Sequence, residues 1–285
     1  MTAAEPRGVA AAEPRGVAAA AAGPDRAAAA AGPSGEAAAA KPRRVAIVAG
    51  GTRGIGAQIA RRLAGDGIAL VVGFAHDSVA ADKLVGEIVE TGERAMAVRG
   101  DISQSGAVEK LFDEAEQTYG GVDIVVTCAG AHAFARGPLS GTDDASFDHV
   151  VDVNFRGTFN MLRAAATRVR PGGRIVTFSS SAVALGVPGQ AVYNACKAAV
   201  ETLSRQLAGE LAGRDVTVNA VAPGPTATEL FTRSRSAQDI AATAQQVPLG
   251  RIGSTDDIAE VVAFLVGAQG GWINGQVVRA NGGLV

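Results

Sequence analysis

From Arg43 onward, short apolar runs alternate with longer amphipathic stretches, and that alternation leaves the chain few ways to fold. Val45 to Val48 reads as a buried strand. A glycine-rich turn and a helix from about Gly54 come next, with Ile55, Ile59 and Leu63 at helical spacing and Gly65 and Gly67 ending it. The unit then repeats. "IALVVGF" (68–74), "RAMAVRGD" (94–101), "VDIVVTCAG" (122–130), "GRIVTFSS" (173–180), "VTVNAVAPG" (216–224) and "GQVVRANGG" (275–283) read as strands. "VAADKLVGEIVETG" (79–92) and "VEKLFDEAEQTYGG" (108–121) read as helices, with longer ones around 145–170 and 190–212. Parallel strands need crossover connections, and a helix satisfies its own backbone on the way back. The pattern predicts one α/β domain over residues 41–285, doubly wound, with about seven parallel strands and helices on both faces. Ligands of such sheets bind beyond the carboxyl ends of the strands, where Ala129–Gly130, Ser179–Ser180 and Pro223–Gly224 all fall.

Composition narrows the partners. Of 285 residues 47% are hydrophobic and the formal net charge is −2, so charge gives no reason to expect a nucleic acid or a membrane surface. No apolar run is long enough to span a bilayer. Cys128 and Cys196 are too few for a disulfide framework and match no metal-ligand spacing. Both read as small apolar side chains in a reducing, cytoplasmic setting, and no metal is expected. Residues 1–40 are different material: "AEPRGVAA" occurs at 4–11 and again at 12–19, and prolines at 6, 14, 24 and 33 break any alanine helix. With little to bury, this stretch reads as a disordered extension. Charges interrupt every candidate signal-peptide core, and Glu5, Glu13, Asp25 and Glu36 fit an organellar import signal poorly.

The turn after the first strand has glycines at 50, 54 and 56, a GxxxGxG spacing. Glycines there let the backbone turn tightly and approach a pyrophosphate, which the N–H groups and dipole of the next helix hold. Further on, "YNACK" (193–197) sets one of only two tyrosines four residues before a lysine, so Tyr193 and Lys197 share a helix face. A free phenol has a pKa of about 10, and a nearby ammonium pulls it down toward the range useful for proton transfer.

"GGTRGIG", "GDIS" (100–103), "CAG" (128–130), "VNFRG" (153–157), "SSS" (179–181), "YNACK" and "APG" (222–224) stand in the order and at the separations of the short-chain dehydrogenase/reductase family, which the chain resembles from residue 43 to 285. The stretch 248–283 further resembles the family's carbonyl reductases. The resemblance implies a Rossmann-type fold and a catalytic set of Asn154, Ser180, Tyr193 and Lys197. Ser180 would orient a substrate carbonyl and Tyr193 would protonate it as hydride arrives from a nicotinamide. Lys197 would also hold the nicotinamide ribose, and Asn154 a water relaying protons through Lys197. Cofactor contacts are implied at Gly50, Thr52, Arg53, Gly54, Ile55, Gly56, Asp101, Ile102, Ala129, Gly130, Tyr193, Lys197, Pro223, Gly224 and Thr226, with Asp101 and Ile102 against the adenine. Two departures stand out. Ala49 replaces the family's threonine, and Thr127-Cys128-Ala129-Gly130 replaces the customary Asn-Asn-Ala-Gly; by resemblance these positions shape the cofactor cleft and brace the central strand, so the departures bear on cofactor affinity or local rigidity rather than on the chemistry.

The second strand ends Gly73-Phe74-Ala75, without the carboxylate that would bind the adenosine ribose of NAD. Arg53 can meet a 2′-phosphate with its fork of donors, so NADP(H) is expected over NAD(H). Asp77 is discordant, because it lies close enough in sequence to approach that ribose; His76 and Ser78 read equally as assisting groups or solvated loop. His132 and His149 read as ordinary histidines. The leading reading is an NADPH-dependent reductase of aldehydes or ketones with a small-molecule carbonyl or alcohol substrate. The second is a 3-oxoacyl-acyl-carrier-protein reductase, with Arg136, Arg156 and Arg163 as candidates to receive an acidic carrier. The third, a non-catalytic NADP-binding regulator, would be free to lose Tyr193, Lys197 or Ser180, and the chain retains all three. Specificity is expected in 131–142, 182–192 and 225–247, the last a lid of short helices with Leu230 and Phe231 as pocket walls. By resemblance, the long helices pair in a homotetramer or homodimer.

Overall fold

The computed structural model describes residues 43–132, 137–233 and 235–285; the extension read over 1–40 lies outside the described residues. Seven strands form one parallel sheet: β1 Val45–Ala49, β2 Ala69–Phe74, β3 Ala95–Arg99, β4 Val122–Thr127, β5 Val169–Phe178, β6 Thr217–Pro223 and β7 Val277–Ala280. Their order is β3-β2-β1-β4-β5-β6-β7, so the direction of winding reverses between β1 and β4. The expected doubly wound α/β architecture is present.

Both faces are covered, which is why the strands read as nearly continuous apolar runs. On one face, Ala46 and Val48 of β1 pack with α1 (Gly54–Gly65), α2 (Ser78–Glu90) and a C-terminal helix at Thr255–Val266. On the other, Val45, Ile47 and Ala49 pack with α3 (Ser105–Tyr119) and with the long helices further along the chain. The helix expected around 145–170 is two helices, α4 (Asp144–Val151) and α5 (Gly157–Arg168), joined by a π turn at Asp152–Arg156. Wide turns of this kind insert one residue into a helix and are frequent at functional sites. The short α6 (Ala182–Leu185) precedes α7 (Ala191–Glu210). The stretch expected to form a lid carries α8 (Glu229–Thr232) and α9 (Ala237–Gln246), and α10 is the helix at Thr255–Val266.

The altered strand end at β4 has a measurable consequence. Thr127 pairs with Ala49 on one side and Thr177 on the other, is 1% exposed, and its hydroxyl has no hydrogen-bond partner. An unsatisfied buried hydroxyl is unfavourable relative to an isosteric methyl. Thr127→Val should therefore raise stability by about 1 kcal/mol in urea unfolding, and a loss of stability would show that the hydroxyl is satisfied in solution.

Candidate active site

The β1–α1 turn is built by close approaches that no side chain permits. Gly50 has φ +74°, and a Cβ there would lie 2.6 Å from the backbone N and Cα of Ala129, at the end of β4. A Cβ on Gly56 would lie 2.2 Å from the Gly50 carbonyl oxygen, so the first turn of α1 presses directly on the loop that precedes it. Thr52 is half-buried and Ile55 packs partly into the core. Arg53 stands at the N-cap position, exposed, and its side chain makes no capping hydrogen bond. A Cβ on Gly54 would reach 3.3 Å from Thr228 Cγ2, which brings the start of the lid to the edge of the turn. Thr228, directly before Glu229, carries an N-cap signal in the sequence, and its side chain caps α8.

The other strand ends meet this turn. Asp101 is exposed and accepts the Ser103 N–H at 2.9 Å. Ile102 is 7% exposed, and its side chain would crowd any Cβ on Gly157 at 2.7 Å. The Asn160 amide donates to the Ile102 and Ser103 carbonyls at 2.9 and 3.0 Å. Thr226 is buried, and its hydroxyl donates back to the Gly224 carbonyl at 2.9 Å. Gly224 packs on Asn281, where a Cβ would lie 2.8 Å away, and Pro223 closes β6. Asp77 is explained as a helix cap, its carboxylate accepting the Ala80 N–H at 2.9 Å.

Tyr193 and Lys197 lie one turn apart on α7, with Lys197 Nζ 5.6 Å from the centre of the tyrosine ring. Ser180 stands just past β5, half-buried, its Oγ accepting the Ala182 N–H at 3.2 Å. Gly130 joins the elements: a Cβ there would be 3.3 Å from Asn154 Oδ1 and 3.7 Å from Lys197 Nζ. Asn154 sits in the π turn, fully buried. Its amide nitrogen donates to the Ala131 and Val150 carbonyls at 2.7 and 2.8 Å, and its oxygen accepts the Ala131 N–H at 3.3 Å. The Asn154 side chain clasps the loop after β4. His132, read as ordinary, stacks against Tyr193 with ring centres 4.3 Å apart and planes tilted by 39°. Its place two residues after Gly130 was the available signal.

Lys197 is 3% exposed, and its ammonium donates to the Phe178 carbonyl at 3.0 Å. Burial lowers its pKa from 10.5 to about 8. Burial pushes the Cys128 thiol up to about 12, in keeping with a cysteine that packs rather than reacts. Because the folded state disfavours the charged lysine, stability associated with this group is missing below about pH 8 and returns as pH rises toward 10.5. Lys197→Met should be more stable than the parent by about 1–3 kcal/mol at neutral pH, the gap closing as pH rises through that window in thermal melts. A variant that melts below the parent at neutral pH would refute this.

Residues 49–285 match the family model described as enoyl-(acyl carrier protein) reductase. The chloroplastic NADPH-dependent aldehyde reductase 2 of Arabidopsis thaliana is 41% identical over 253 residues, which cover 84% of this chain and 93% of that protein. A dehydrogenase/reductase from Sinorhizobium meliloti has a similar structure, with a TM-score of 0.80 at 38% identity over 85% of this chain and 94% of the other. A short-chain dehydrogenase from Burkholderia cenocepacia, in complex with NADP, gives a TM-score of 0.78 at 34% identity over 85% and 98%. This chain belongs to the short-chain dehydrogenase/reductase family.

Proposed function

We propose that this oxidoreductase uses NADPH to reduce an aldehyde or ketone carbonyl to an alcohol, with Tyr193 as the proton donor. The observation that carries the reading is the buried ammonium of Lys197 one helical turn from Tyr193, at the edge of the glycine cradle. The chain's residues suit a dinucleotide: Gly50, Gly54 and Gly56 leave backbone where side chains would intrude, and Gly130 keeps open the space before Asn154 and Lys197. Preference for the 2′-phosphate is supported by exposed Arg53, by Ala75 where a carboxylate would serve NAD, and by the engagement of Asp77 in capping α2. The Arabidopsis relative is NADPH-dependent and the Burkholderia structure holds NADP, in line with that preference.

When bound, the cofactor supplies hydride to the carbonyl carbon. Ser180 donates a hydrogen bond to the carbonyl oxygen and orients it, and Tyr193 passes its phenolic proton to that oxygen. The Lys197 cation favours the phenolate left behind. With a pKa near 8, Lys197 can also return a proton to Tyr193 close to neutral pH. Asn154 holds the loop after β4 through its two hydrogen bonds to Ala131.

A carrier-protein substrate gains no support from the expected basic residues. Arg156 pairs with Asp152 at 2.7 Å, Arg163 lies over the Phe159 ring, and Arg136 lies outside the described residues. Among the described residues no helix is long and apolar enough to cross a membrane, and a cytoplasmic setting is proposed on the composition. Self-association as a dimer or tetramer is supported by an apolar groove lined by Leu139, Phe147, Val151 and Val192, with Leu139 68% and Phe147 48% exposed.

The purified chain should oxidise NADPH with at least one member of a panel of aldehydes, ketones and acetoacetyl thioesters. Tyr193→Phe should lower kcat about 10³-fold with NADPH affinity kept, and undiminished turnover would remove the mechanism. In the same assays Arg53→Gln should weaken NADPH binding about tenfold and leave NADH binding unchanged; equal effects on both would show that Arg53 does not read the 2′-phosphate. Phe147→Asp should shift the sedimentation of an oligomeric parent to smaller species, an expectation that a monomeric parent would defeat.

A further inference from the structure

The end of β5 is gripped from α7 by three contacts at successive residues. Thr177 Oγ1 and Ser204 Oγ share a hydrogen bond of 2.7 Å, the Phe178 carbonyl accepts from Lys197 Nζ at 3.0 Å, and Ser179 Oγ donates to Glu201 Oε1 at 2.6 Å. Positions 197, 201 and 204 are separated by four and three residues, so they form one face of the helix. The Ser179–Glu201 bond has the short length of a hydroxyl donating to a carboxylate, the stronger class of hydrogen bond.

This bond lies just past the last residue of β5 paired in register, where single hydrogen bonds to β6 continue. Phe178, paired with Val221, is the last residue of β5 in register with β6. Beyond it, position depends on individual ties. Ser181 is tied to the opposite side: its N–H donates to the Pro223 carbonyl at 3.0 Å, its hydroxyl donates to the Ala222 carbonyl at 3.2 Å, and it accepts from Asn281 at 3.0 Å. Ser179 is 3% exposed; its N–H donates to the Val221 carbonyl at 2.7 Å, and its hydroxyl reaches α7. Ser180 thus lies between two residues whose N–H groups are both bonded to β6, and of these Ser179 alone is tied in addition to the helix that carries Tyr193.

From this geometry we infer that Glu201 is a positioning residue: by accepting the Ser179 hydroxyl, it sets where Ser180 stands relative to Tyr193 without touching substrate itself. The inference rests on the reductase reading above. Displacing an orienting group by a fraction of an ångström to an ångström costs tenfold or more in rate, while the glycine cradle lies on other elements and is left as it was.

The test is steady-state kinetics on the full chain, with NADPH affinity from fluorescence titration. Glu201→Ala should lower kcat about tenfold with the NADPH dissociation constant within about twofold of the parent, and Glu201→Gln, which keeps an acceptor oxygen, should stay within about threefold. Ser179→Ala should reproduce the Glu201→Ala loss, and stands in for it if that variant does not fold. On a Ser180→Ala background, Glu201→Ala should change the residual rate less than about twofold, because the group it positions is gone. An unchanged kcat in Glu201→Ala, the same tenfold loss with Ser180 absent, or a parallel loss of NADPH affinity would each overturn the assignment while leaving the reductase reading intact. A parent chain that reduces no carbonyl would overturn the reading and the assignment together.

Discussion

A lysine ammonium held 3% exposed is the constraint around which the cleft is organised. Taking a charge out of water is unfavourable unless polar groups replace the solvent, and a depressed pKa records that the replacement is incomplete. The Phe178 carbonyl supplies one partner, which requires β5 to end directly beneath α7. The neighbouring loop after β4 must pass close by, which requires glycine at 130 and a clasp from Asn154 to hold Ala131 in place. The sheet order, the glycine at a strand end and the wide helical turn are thus parts of one arrangement. It places a destabilising charge 5.6 Å from the centre of the Tyr193 ring.

Much of this was legible in the chain. The strands are buried on both faces and the helices on one, so unbroken apolar runs alternate with a period of three to four residues. Val45–Ala49, Ala69–Phe74 and the helix from Gly54 came within a residue or so of expectation for that reason. The meeting of Gly50, Gly130, Ser180, Tyr193 and Lys197 at one edge of the sheet is a consequence of topology once each is placed at a strand end or on the crossover helix. Less legible was the direction of individual side chains. Ile102 turns inward because Gly157 leaves a hole for it, and Thr226 bonds to its own turn, so Thr228 is the threonine that approaches the glycine loop. Neither fact is encoded by composition or spacing. Asp77 was ambiguous in the sequence because a carboxylate that caps a helix and one that binds a sugar are the same residue until a partner is seen.

The family's departures at the end of β4 divide in the same manner. Thr127 retains a hydroxyl without a hydrogen-bonding partner, which is a local loss of bracing. Cys128 fills its position as a small apolar group, its thiol kept protonated by burial. Neither alters Tyr193, Lys197 or Ser180 themselves, so the substitutions act on the scaffold's detail.

The π turn at Asp152–Arg156 has a mechanical meaning for the whole helical layer. One residue more than an α-helix requires turns the two halves of a helix by about 100° relative to one another. That rotation points Asn154 into the cleft while Phe147 before it and Phe159 after it both face outward. Excising a single residue there would let the spiral close regularly, and one half would then carry its outward ring toward the sheet or its buried amide toward solvent. The arrangement of the cleft and the makeup of the outer surface are therefore geared together through one irregular turn, so neither can be redrawn by shortening that helix without redrawing the other.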